Sequence, residues 1–87
     1  MLEEFLNEKV VIDLKSPFVC LGTLSRIEEH FLELKGADLH DLRDTDTTRE
    51  NYVAASERTG IKRNRKRVVL FRNDVVAISR LADVSDQ

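Results

Sequence analysis

Cysteine and proline each occur once in these 87 residues, tyrosine once and glycine three times. The lone Cys20 excludes an internal disulfide framework and is ordinary in a reducing cytoplasm. No apolar run approaches the ~18–20 residues that a membrane span needs. Glu3 and Glu4 stand where a secretory signal would carry Lys or Arg, so a cytoplasmic protein is expected. There is no Gly-rich phosphate loop, and no Ser, His or Asp sits in a nucleophile-elbow context. Neither an enzyme nor a cofactor is expected. Asp38-x-His40-Asp41 contains possible metal ligands, but no second His or Cys cluster accompanies it, and no metal site is expected. The net charge of −2 gives no global attraction to nucleic acid. Internal repeats, low-complexity tracts and linkers are absent.

What is present is an ordinary folding composition, 41% hydrophobic and 34% charged, enough for one domain over residues 1–87. So small a domain is marginal alone, and a partner subunit is one remedy. Charge is uneven along the chain. Asp38–Glu50 holds five acids and two arginines, whereas Lys62–Arg67 holds five bases in six residues and no acid.

Leu2, Phe5 and Leu6 share one face of a short helix that Asn7 can end. Lys9–Lys15 alternates with period two, a half-buried strand with Val10, Ile12 and Leu14 on one face. Ser16-Pro17 breaks it. Phe18–Ile27 is a second strand, with Cys20, Gly22 and Leu24 on one face and Gly22 placed for a bend. Glu28-Glu29-His30 is a polar turn. A third strand starts near Leu32 and runs toward Leu39.

Thr47-Thr48-Arg49-Glu50 fits a capping box with the Thr47 hydroxyl on the Glu50 amide. It opens a helix over residues 48–59, closed by Gly60 as a left-handed cap with Ile61 folding back onto Ala55. Tyr52 and the alanines of this helix pack on the sheet. Arg67–Arg72 and Val75–Leu81 are two more strands, joined by the tight turn Asn73-Asp74. Both faces of Val68–Phe71 are apolar, so both need cover, and little of the chain's own mass remains to supply it. The expected fold is mainly β: five bent antiparallel strands, an N-terminal helix, and a helix inserted between strands three and four.

This order resembles the Sm/LSm superfamily. Leu6–Leu14 is similar to the family's passage from helix to first strand. Gly22-Thr23-Leu24, with Glu28 six residues after the glycine, resembles the first Sm motif, where Asp is usual. Leu70–Ile78 resembles the second motif, whose core is an apolar residue, Arg-Gly, then valines. The likeness covers roughly two-thirds of the chain, and residues 41–66 match nothing in the general pattern. It implies a ring of roughly five to eight identical subunits, the fourth strand of one pairing with the fifth of the next. It also implies single-stranded, U-rich RNA as a partner.

Carried over by position, His30 stands where a side chain stacks on a base and Arg72 where the family's arginine completes the pocket, with Glu28, Asn73 and Asp74 around them. Three positions depart from the pattern: Leu32 replaces the usual Asn, Asn73 the usual Gly, and Glu28 the usual Asp. The bland alternatives are a solvated turn histidine at 30 and a structural arginine at 72. Lys62, Arg63, Arg65, Lys66 and Arg67 form a second candidate, a phosphate-binding patch. Its alternative is a solvated loop paired with the Asp38–Asp46 acids. No aromatic interleaves this run. A ring serving only as a protein-interaction scaffold is the other functional reading.

Overall fold

Three β-branched residues in succession, Val10, Val11 and Ile12, set the first strand, β1, at Lys9–Leu14. In the computed structural model, which describes residues 1–84, four more strands follow: β2 at Phe18–Ile27, β3 at Phe31–Asp41, β4 at Arg65–Phe71 and β5 at Val75–Arg80. All pairings are antiparallel, in the order β4-β3-β2-β1-β5, so β4 and β5 are the two free edges. One α-helix, α1 at Arg49–Thr59, lies between β3 and β4. Among the described residues no helix is long and apolar enough to cross a membrane.

The expected N-terminal helix is shorter than its pattern, a single 3-10 turn over Leu2–Phe5. Asn7 takes a positive φ of 65° and donates its N–H to the Leu24 carbonyl at 2.7 Å. That reversal into β1 leaves too few residues to nucleate an α-helix. Phe5 still packs against the core.

The bend falls where the glycine in β2 suggested. The β2–β3 register shifts between Leu21 and Thr23, and again between Leu24 and Arg26. A Cβ on Gly22 would lie 3.1 Å from both Cα and Cβ of Ala37, so only hydrogen allows the strands this approach. Inside the curve, Val10, Ile12, Cys20, Leu24, Leu32 and Leu34 are buried. Val11, Val19, Leu21, Val53 and Leu81 form a second buried layer on the other face. Thus β1 is not half-buried: Val10 and Val11 are both inaccessible, because α1 lies across the second face. Burying each such side chain contributes about 1.5–3 kcal/mol.

The helix starts one residue later than the Thr47 box. Thr48 is the N-cap, its Oγ1 accepting from the Asn51 N–H at 3.1 Å. Gly60 has φ 96° and ψ 157°, not the left-handed cap, and donates its N–H to the Ser56 carbonyl at 2.9 Å. Ile61 then drops into the Val11–Leu81 layer. At the other end of β4, Arg72–Asp74 makes the expected turn as one 3-10 turn into β5.

With α1 spent on β1 and β2, the second face of β4 stays open. Val69 is 41% and Phe71 60% exposed, while Leu70 faces the core.

Candidate nucleic-acid interface

Antiparallel pairing of β3 with β4 sets Phe31 opposite Phe71. The β2–β3 turn and the β4–β5 turn therefore meet at one end of the sheet. The Arg72 N–H donates to the His30 carbonyl at 2.8 Å, and its guanidinium Nη1 to the Glu28 carbonyl at 2.9 Å. The Asp74 carbonyl accepts from Lys15 N–H at 2.9 Å, tying the turn to the end of β1. Glu28, His30, Arg72, Asn73 and Asp74 are thus brought together. The rings of Phe31 and Phe71 pack beside them, 5.2 Å apart and tilted 52°.

His30 presents its ring to solvent, 74% exposed, with Nε2 3.9 Å from a Glu29 carboxylate oxygen. Part of Arg72 is structural, since Nη1 clamps the turn; its other N–H groups remain for a ligand. The Glu28 carboxylate is taken by Arg26. Asn73 is exposed at the tip. Leu32 is 1% exposed and paired with Leu70, so it faces the core and offers nothing to a base. Arg26 and Arg72 are offset here by Glu28, Glu29 and Asp74, so the site has little field of its own.

Of the five basic residues at 62–67 only Arg67 reaches this end, lining a concavity with Arg26, Glu28 and Phe31; the other four do not join the site. Arg65 pairs with Ala37, six residues along β4 from Phe71, about 20 Å away at ~3.3 Å per residue. Nor do the five act alike. The Arg67 Nε–H donates to the Glu33 carboxylate, which also accepts from Ser25 Oγ at 2.7 Å. Those two hydrogen bonds hold the Glu33 carboxyl below the usual range. Lys62, Arg63, Arg65 and Lys66 are left on the loop and the start of β4, where they make no ion pair among the described residues. The Asp38–Asp46 acids do not serve them. Asp38 is buried and accepts from Tyr52 Oη and from Asn64 Nδ2. Asp41 pairs with Arg43, which brings its carboxyl down to about 2.

Asn64 is a residue the sequence reading passed over. Its side chain donates to Asp38 and to the Leu39 carbonyl and accepts from the Leu39 N–H, each near 3 Å. Its own N–H donates to the Ala37 carbonyl at 2.8 Å. Its partners lie 25 and more residues away, so no local pattern marks it. Tyr52, beyond its bond to Asp38, stacks on His40 at 3.9 Å. Asp38, His40 and Asp41 form no ligand cluster, and no group of three or more His, Cys, Asp or Glu gathers among the described residues. Cys20 sits in the core, where burial pushes its thiol up to about 12.

The chain is thus a bent five-stranded antiparallel sheet with free edges at its fourth and fifth strands. Among solved structures, the chain is similar to the Pyrococcus abyssii Sm protein in complex with a uridine heptamer: TM-score 0.61, 20% identity, covering 90% of this chain and 89% of that one. The likeness is one of fold, and the fold is Sm-like. No protein-family model matches the chain, and no curated protein matches it.

Proposed function

We propose that this chain is the subunit of an Sm-like homo-oligomeric ring that binds single-stranded RNA through the paired turns. The observation that carries the reading is the clamp from Arg72 to the Glu28 and His30 carbonyls. It holds an exposed imidazole and a partly free guanidinium at one end of the sheet. Imidazole stacks on a base, and a guanidinium stacks or bonds to phosphate. Asn73, exposed beside them, supplies the amide that reads a uracil edge in place of the buried Leu32.

The ring is supported by the open apolar groups along both free edges: Val69 and Phe71 on β4, and Val76 on β5, 65% exposed. Pairing β4 of one subunit with β5 of the next covers these and satisfies two rows of backbone groups that otherwise invite aggregation. A cytoplasmic location for the ring fits the lone, unpaired Cys20.

Fluorescence anisotropy with labelled oligo(U) tests the pocket. His30→Ala and Arg72→Ala are each expected to weaken binding about 5- to 150-fold, the ~1–3 kcal/mol of one base stack. Unchanged affinity in both variants would remove the paired-turn pocket, and no affinity of the wild type for oligo(U) at low salt would leave the ring as a protein-interaction scaffold.

A further inference from the structure

The β3–β4 connection forms a basic concavity separate from the paired turns. Gly36 takes φ +55° in mid-strand, and its missing side chain admits Arg63: a Cβ there would sit 3.0 Å from Arg63 Nε. Arg63 thus lies across β3. A concavity of about 440 Å³ results, walled by Gly36, Arg63, Asn64, Arg65 and Lys66. Its floor is fixed. Asn64, between the two arginines, is stapled to β3 by its N–H and by both ends of its side-chain amide. Asp38, which braces that amide, is itself braced by Tyr52 of α1. Ile61, just before the basic run, is anchored in the core. The backbone is ordered before any ligand arrives, so little is lost on binding. From Thr59 to Phe71 the chain holds no acid, and the nearby Asp38 is buried and spent.

We propose that this concavity binds the phosphodiester backbone of single-stranded nucleic acid, without regard to base, through Arg63, Arg65 and Lys66 of its walls, with Lys62 next to Arg63 in the chain as a fourth, flanking cation. Guanidinium forks match phosphate oxygens in pairs. No apolar side chain lines the site to hold a peptide, and no aromatic is there to stack bases. The site stands at the opposite end of β4 from the paired turns, whose own charges nearly cancel. It supplies the attraction that the turns lack, and it does not depend on them.

For a single strand, the slope of log affinity against log salt is about −0.7 per phosphate neutralised, so four cations give about −3 per chain. Oligo(A) and oligo(U) of equal length, followed by anisotropy between 50 and 200 mM salt, are the probes, with a glutamate decamer as the peptide comparison. Wild type is expected to lose about 50-fold in oligo(A) affinity over that range. The double variant Arg63→Gln with Lys66→Gln, exposed positions outside the core, is expected to lose only about 7-fold. His30→Ala is expected to keep oligo(A) binding whole. An unchanged slope in the double variant would overturn the proposal, as would a decamer that binds as tightly as oligo(A). Loss of oligo(A) binding in the double variant with no oligo(U) preference in wild type upholds this site and removes the paired-turn reading; the reverse pattern does the opposite.

Discussion

Glu33 is a carboxylate on the outer face of β3 with 7% of its surface exposed, held by Ser25 and Arg67. Burying such a group is tolerable only with partners of this kind. Their hydrogen bonds favour the charged form and lower its pKa from the usual 4.5. The unfolded chain therefore takes up the proton first as pH falls. The stability that Glu33 contributes is complete above 4.5 and is lost as pH falls through its lower native value. Urea unfolding of wild type and Glu33→Gln from pH 7 to 3 is expected to give curves that converge on acidification, with wild type the steeper. Some slope remains in the variant below 3.8, where Asp41, down to about 2 beside Arg43, titrates in turn. Parallel curves would mean that Glu33 is not coupled to folding. At this scale the sequence was legible only where partners are local. The turns at Glu28–His30 and Asn73-Asp74 could be read from local residues, but the Arg72 bonds that join them could not. That Arg67 belongs to Glu33 rather than to the basic patch follows from cross-strand register, which no run of residues displays.

Elements were more legible than residues, because period-two alternation and turn residues are local signals. β1, β2 and β5 begin and end within about one residue of their patterns. β4 starts two residues early, at Arg65, because pairing with Ala37 extends it into a polar stretch. The N-terminal helix shrank to one turn because Leu24, distant in sequence, captures the Asn7 N–H. The helix between β3 and β4 was visible, but its first residue was not, since two threonines in a row fit one cap. The Thr48 hydroxyl is the one that accepts from Asn51. Thr48→Ala is therefore expected to cost about 0.5–2 kcal/mol by denaturant melt. Thr47→Ala is expected to lie within about 0.5 kcal/mol of wild type. A larger loss from Thr47 would restore the earlier cap.

For the whole molecule, the question is what becomes of the two free edges. β4 presents Val69 and Phe71 and β5 presents Val76, beside unpaired backbone groups. Among the described residues, α1 and the Leu81–Asp83 turn do not cover them, because both are packed on the β1–β2 face. The two edges belong to opposite ends of one sheet, so the proposed contact between them is heterologous, and the proposed ring requires that its rotation closes rather than running on as a filament. Light scattering across a gel-filtration peak at micromolar concentration is expected to give a multiple of 10.0 kDa. Phe71→Asp sets a charge in the proposed contact without touching the core, since Phe71 is 60% exposed. It is expected to shift that peak to the monomer while the circular dichroism of the strands persists. A wild-type peak at the mass of one chain would remove the ring. The paired turns and the basic concavity would then act on a single subunit.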